Sequence, residues 1–215
     1  MSGGEFTRTE VNENKPREVD NYKRIKPENP MSIKELSSAV GDEFSKASKE
    51  AESPREYRDD NGAKYREDDR LVPNIEFERN GYKYKTDAEG RVISAEGELQ
   101  VKNHDGRSEM DSRASVDKGD MRNTDDRGHL IADRFNGSGG IENLVPMDSE
   151  LNQHGDYKKM ENTLADAMKD GVKVELKVEP VYEGDSTRPS EFRVTYSMDG
   201  EKEVAVFKNE SEARS

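Results

Sequence analysis

The chain has no cysteine. Disulfides are therefore excluded, and so are thiolate metal sites and the usual Cys/His zinc recipes. Histidine is scarce too: His104, His129 and His154 are widely spread, which argues against a multi-histidine metal site. No apolar run approaches the length of a membrane span, and residues 1–30 lack the apolar core of a signal peptide. If the chain is exported, its address is expected to lie elsewhere, on a larger protein of which this is a piece. Hydrophobic residues make up only 29% of the 215 positions, while 39% are charged. A core filling the whole length is not expected from such a composition. Positive charge is also short, with a formal net charge of −13. That excludes a basic protein that coats nucleic acid passively, but not an enzyme with a local cationic site. An acidic surface of this kind also suits a basic partner, beside its ordinary role in solubility.

What remains is patterned. Residues 1–30 are polar, contain Pro16, Pro27 and Pro30, and are expected to be disordered or linker-like. Residues 31–72 are expected to hold an amphipathic helix and a charged linker. Ser32-Ile33-Lys34-Glu35 is a capping-box pattern, and Ile33, Leu36, Val40, Phe44, Ala47 and Ala51 then share one helical face. A folded domain is expected over 73–208, and a frayed tail over 209–215. Within the domain, Ile75–Glu78 and Tyr82–Lys85 alternate around Asn80-Gly81, a strong hairpin turn. Arg91–Ala95 adds a third strand after Glu89-Gly90. Val172–Val178 alternates strictly, and Phe192–Tyr196 with Val204–Phe207 makes another hairpin around Asp199-Gly200. Tyr157, Met160, Leu164, Ala167 and Met168 mark a helix closed by Asp170-Gly171. The fold class is α+β, an antiparallel sheet with one helix beside it.

The chemistry concentrates in Thr124–Glu161. A phosphodiester is cut by deprotonating a water, meeting the charge on the phosphorus oxygens and stabilising the leaving oxygen. His129 suits the first task near neutral pH. Gly128 beside it allows either a close approach to substrate or an unusual backbone dihedral. Asn152 offers an amide oxygen to a hard cation such as magnesium, which takes few protein ligands. Asp148 or Ser149 is placed to cap the helix that presents it, and Asn152 itself is a competing capping residue. Glu161 is a candidate to hold metal-bound waters. In an ideal helix the nine residues from Asn152 turn about 900° and put Glu161 on the opposite face. Both can reach one ion only if the helix breaks near His154-Gly155. Asn143 is placed to orient His129 or to hold its backbone.

These elements in this order, Asp126-Arg127-Gly128-His129, Asn143, Leu151-Asn152-Gln153 and Glu161, resemble the DNA/RNA non-specific endonuclease family, whose fold is the ββα-metal or His-Me finger type. The likeness covers residues 124–167 directly, and the flanking strands are compatible with it. It implies His129 as general base, Asn152 as direct Mg2+ ligand with Mn2+ or another divalent ion able to substitute, and Glu161 as holder of metal waters. Arg127 and Asn143 become supporting residues. An upstream arginine is expected on the scissile phosphate, with Arg113 and Arg122 both candidates, and Tyr157 stands in for an aromatic that follows the metal asparagine. The resemblance further implies DNA and RNA as substrates and a secreted bacterial toxin delivered into a target cell. It also implies an immunity protein that neutralises the toxin. The rival expectation is a catalytically silent relative that binds a partner through its acidic face. A calcium module is disfavoured, because no stretch has the ordered ligands of the twelve-residue loop.

Overall fold

The computed structural model describes residues 53–102, 110 and 120–210. The expected helix over 33–51, the segment 1–30, Arg113 and the last five residues lie outside that range. In chain order the strands begin with β1 (Glu56–Arg58), β2 (Lys64–Glu67), β3 (Arg70–Leu71), β4 (Glu76–Arg79), β5 (Tyr82–Thr86) and β6 (Val92–Glu98). Then come β7 (Asp125–His129), a 3-10 turn at Asp133–Phe135, β8 (Leu144–Asp148), helix α1 (Ser149–Gln153) and helix α2 (Asp156–Lys169). Strands β9 (Val174–Tyr182), β10 (Pro189–Met198) and β11 (Glu201–Lys208) complete the chain.

Six strands form one antiparallel sheet in the order β11-β10-β9-β6-β5-β4. Its hairpins fall where the turn residues place them. Asn80 and Gly81 both have positive φ, 53° and 78°, the backbone that a two-residue turn between twisted strands requires. Strict alternation in β9 puts Val174, Leu176 and Val178 on the buried face. Helix α2 covers that face with Tyr157, Met160 and Leu164. The Tyr157 ring lies 5.7 Å from Phe192 and 5.3 Å from Phe207. Each large side chain buried in this way contributes about 1.5–3 kcal/mol.

Two expected boundaries move. Residues 53–72 are not a linker, because β1, β2 and β3 form a small antiparallel sheet that packs on the core. Tyr65 stacks on Phe77 at 4.8 Å, Leu71 is buried, and Arg66 lies over the Tyr57 ring at 4.2 Å. The charges that made this stretch resemble a linker alternate with those few apolar anchors. Nor does fraying begin at residue 209. Asn209 is 2% exposed, and its Nδ2 donates to the carbonyls of Pro146 (2.9 Å) and Pro189 (2.8 Å). Its Oδ1 accepts the backbone N–H of Asp148 at 2.8 Å. One amide thus ties β10 to β8 just where β8 runs into α1.

A second tie holds β7. Asp125 is buried and takes a bidentate pair from Arg188, with Nε and Nη2 each at 2.7 Å. The Asn209→Ala variant is expected to lose about 2–4 kcal/mol of stability, because three buried backbone groups lose their partner. Urea unfolding followed by circular dichroism measures it; a loss under about 0.5 kcal/mol, the range of an ordinary surface substitution, contradicts the bracing role.

Candidate active site

The antiparallel pair β7–β8 and the helices that follow make a β-β-α unit. Asp125 stands opposite Asp148 and His129 opposite Leu144, so β7 ends where β8 begins. Arg127 and His129, two residues apart on β7, share one face of the strand. That face looks into an open cleft of about 650 Å³, which Asp126, Asn152, Lys158 and Glu161 also line. The strand thus supplies the imidazole and the helices supply the oxygen donors.

Gly128 is needed for a reason other than the two anticipated. Its φ is not in the left-handed region, and what crowds it is the core rather than a substrate. A Cβ there would sit 2.5 Å from the Cβ of Met147 on the paired strand. The missing side chain lets β7 lie tightly on β8 while its neighbours face outward. His129 ends β7 rather than beginning a strand, and Leu130, Ile131 and Ala132 beyond it are buried in the bend that leads to the 3-10 turn.

The helix break required by the spacing is present. Helix α1 stops at Gln153, His154 takes φ −135° and ψ −23°, Gly155 takes φ −75° and ψ −170°, and α2 starts at Asp156. A Cβ on Gly155 would lie 2.9 Å from the Cα of Leu151, so the two helices can meet this closely only at a glycine. Asp148 caps α1, accepting from the backbone N–H of Glu150 (3.0 Å) and of Leu151 (3.4 Å). Asn152 is therefore not the cap.

Its amide nitrogen donates to Asp126 Oδ2 at 3.1 Å, and Gln153 Nε2 donates to the same oxygen at 2.6 Å. With Nδ2 committed to Asp126, the Asn152 amide oxygen is the atom left to present to the cleft. Glu161 lines the same cleft from the second turn of α2 and is 8% exposed. A neutral amide oxygen and a buried carboxylate are donors for a hard cation, and the residues present fit one that keeps most of its water. Among the described residues no three His, Cys, Asp or Glu side chains cluster as an all-protein metal cage.

Three expected site residues do not reach the cleft. Asn143 is fully buried. Its Oδ1 accepts from the backbone N–H of Ile131 at 2.9 Å, and its Nδ2 donates to the carbonyls of Ile131 and Ser138, both at 2.8 Å. It pins the loop just past His129 and is a positioning residue, not a group that touches a substrate. Arg122 is exposed outside the cleft lining, and its backbone N–H donates to Asp125 at 2.8 Å. Tyr157 is buried in the core and donates its hydroxyl to the Leu130 carbonyl at 2.9 Å, so it also holds the His129 loop from below.

The structure adds Asp126, Lys158 and Arg134, to which sequence reasoning assigned no role. Asp126 lay within the motif already quoted. Lys158 carried a usable signal, since it precedes Glu161 by three residues on a helix and their charges meet at 2.8 Å. Arg134 had none, because only the 3-10 turn carries it back to the cleft.

Burial pushes the Glu161 carboxyl above its usual range, while Lys158 and Arg134 partly offset the shift. A carboxyl raised in the folded state adds stability below the unfolded value of 4.5 and loses it as pH rises through its folded value. Metal-free Glu161→Gln is therefore expected to melt above the parent protein at pH 7. The gap in Tm should close as the pH is brought below 4.5, where the parent carboxyl is neutral as well. Thermal scans in EDTA across that range test it; a variant less stable at pH 7 contradicts the desolvation argument.

Comparison with known proteins gives the family. Residues 73–200 match the family model described as DNA/RNA non-specific endonuclease. The type VII secretion system protein EssD of Staphylococcus aureus strain USA300 is 30% identical over 194 residues, covering 85% of this chain and 31% of EssD. The chain thus spans about a third of the length of the curated relative it matches. Among solved structures, NucA from Streptococcus agalactiae with magnesium bound aligns at 15% identity and a TM-score of 0.48, over 80% of this chain and 90% of NucA. The Sda1 nuclease with bound zinc aligns at 19% identity and a TM-score of 0.44, over 61% and 76%. No described helix is long and apolar enough to cross a membrane. With the family model matching more than half of the chain, from the hairpin strands through the cleft residues to β10, this protein belongs to the DNA/RNA non-specific endonuclease family.

Proposed function

We propose that the chain is a divalent-metal-dependent endonuclease that hydrolyses phosphodiester bonds in DNA, and in RNA as a second substrate, with little sequence preference. One observation carries this reading: the two helices on either side of the Gly155 break bring Asn152 and Glu161 into the same cleft as His129. In that arrangement the imidazole of His129 takes the proton of the attacking water. Arg127, on the same strand face, meets the negative charge on the phosphate oxygens. Asp126 holds the Asn152 amide by its nitrogen and so keeps the oxygen turned toward the cation. The cation, Mg2+ by preference and Mn2+ or another divalent ion in its place, supplies positive charge for the phosphate and the leaving oxygen.

The wider role follows from the relative. EssD is by name a type VII secretion system protein, and this chain aligns with 31% of it. That supports a domain of a larger secretion-system protein; we propose further that it is delivered into a target cell as a toxin and held in check by a dedicated immunity protein. The acidic bulk of the chain, at net −13, suits a basic inhibitor surface.

Purified protein is expected to nick and then degrade plasmid DNA in Mg2+, and EDTA should stop it. His129→Ala is expected to lower kcat by about 10²–10⁴, the usual contribution of a positioned acid or base. Asn152→Ala should raise the Mg2+ concentration needed for half-maximal rate while leaving Tm near the parent value. Intact plasmid across Mg2+, Mn2+ and Zn2+, or full activity in His129→Ala, refutes the assignment and leaves a binding module in its place.

A further inference from the structure

A polyanion has to be held by a chain whose charge is −13, so the site must differ locally from the rest of the surface. It does. The described charges lining the cleft are Asp126, Asp133 and Glu161 against Arg127, Arg134 and Lys158, which cancel. Asp133 is further neutralised by Lys102, whose Nζ lies 2.7 Å from it, with both side chains largely buried. Two of the three cations lie outside the DRGH motif. Arg134 stands on the 3-10 turn and is exposed. Its Nη1 donates to Asn162 Oδ1 at 2.8 Å, so the guanidinium is anchored on α2 with its remaining N–H donors unassigned. Lys158, one turn before Glu161, uses one donor on that carboxylate at 2.8 Å. Arg134 is tied to α2 through Asn162 and Lys158 stands on α2 itself, so both lie along the same wall of the cleft.

We propose that Arg134 and Lys158 form a phosphate-binding subsite beside the reaction centre, holding a backbone phosphate of the nucleic acid that neighbours the one being cut. This rests on the nuclease reading above and adds to it a residue set on the α2 wall. The ligand is a polynucleotide phosphate, recognised by charge and by the guanidinium fork without regard to base. Arg127 and His129 act from the strand wall on the phosphate that reacts. Arg134 and Lys158 act from the helix wall on the next one, so the backbone lies across the cleft between them. Asn162 has a defined part: it holds the Arg134 guanidinium against α2.

The experiment is binding of a fluorescent DNA duplex in EDTA, followed by anisotropy over a range of NaCl concentrations. It reads the subsite whether or not the chain cleaves, so its failure is separate from failure of the hydrolysis assay. Arg134→Gln and Lys158→Gln are each expected to weaken binding and to flatten the slope of log Kd against log salt by about 0.9, the value of one phosphate contact. The double variant should flatten it by about twice that. Arg134→Lys and Lys158→Arg should keep most of the slope, which separates lost charge from lost fold. Lys85→Gln serves as the control: Lys85 is exposed on β5, pairs with Glu76 and lies outside the cleft lining, so the slope should be unchanged. An unchanged slope in the two glutamine variants overturns the proposal. So does an equal loss in Lys85→Gln, which would reduce the effect to overall charge.

Discussion

Everything in this site depends on one glycine contact. The backbone of Gly155 lies so close to Leu151 that a Cβ would come within 2.9 Å of its Cα, and the chain turns there from one helix into another. The contact is sealed by the Gly155 N–H on the Glu150 carbonyl at 2.6 Å. Had the helix run straight, the nine-residue spacing would have sent Asn152 and Glu161 to opposite sides, one to the strand ribbon and one to solvent. The break makes a short helix whose task is to aim one amide and a long helix whose task is to build the core. Tyr157, Met160 and Leu164 face the sheet, and Glu161 comes round to the cleft beside them.

The chain is unevenly legible for this reason. Strands with alternating side chains and turns of the Asn-Gly or Asp-Gly kind could be read directly, because their period and backbone requirements are local. The break at Gly155 could be read as well, because geometry left no other way for Asn152 and Glu161 to meet. Residues 53–72 could not. Tyr57, Tyr65 and Leu71 are too few to show a period among so many charges, and their burial depends on Phe77 and the rest of a core built elsewhere in the chain. For Asn143 the sequence left two roles open, orienting His129 or holding its backbone. Its buried hydrogen bonds to the backbone of Ile131 and Ser138 select the second, a choice that spacing alone could not make. Arg134 was hidden because a 3-10 turn reverses the chain within three residues and leaves no periodic trace.

Electrostatics explains how so acidic a chain offers a place for nucleic acid. Elsewhere the charges are spent on one another: on the outer face of the large sheet Lys177 meets Glu179 at 2.8 Å, Lys85 meets Glu76 at 2.9 Å and Lys173 meets Glu98 at 3.2 Å. Exposed pairs like these add little stability. They do hold these lysines against carboxylates of the same sheet. Long-range repulsion from the excess carboxylates is screened within about 8–10 Å at physiological salt, so the local balance in the cleft decides binding. A divalent ion held there would shift that balance further toward the positive and would compensate the Glu161 carboxylate, whose ionisation burial disfavours.

The paired aspartates at the head of the motif show how one strand serves two masters. Asp125 and Asp126 are adjacent, yet only the first is buried; the second lines the cleft with Arg127 and His129. Asp125 goes inward, where Arg188 grips it through two 2.7 Å bonds, and it holds β7 to the start of β10. An asparagine there would leave the guanidinium with an unmatched buried charge, a change that typically costs about 3–5 kcal/mol. Asp126 goes outward and spends one oxygen on two amides, Asn152 and Gln153. A carboxylate suits this second position because it can only accept. An amide would be free to flip and offer its own N–H to the Asn152 oxygen, taking the lone pair that a cation needs. The inner aspartate therefore fixes where the strand lies, the outer one fixes which end of the Asn152 amide faces the cleft, and the imidazole three residues further on inherits both.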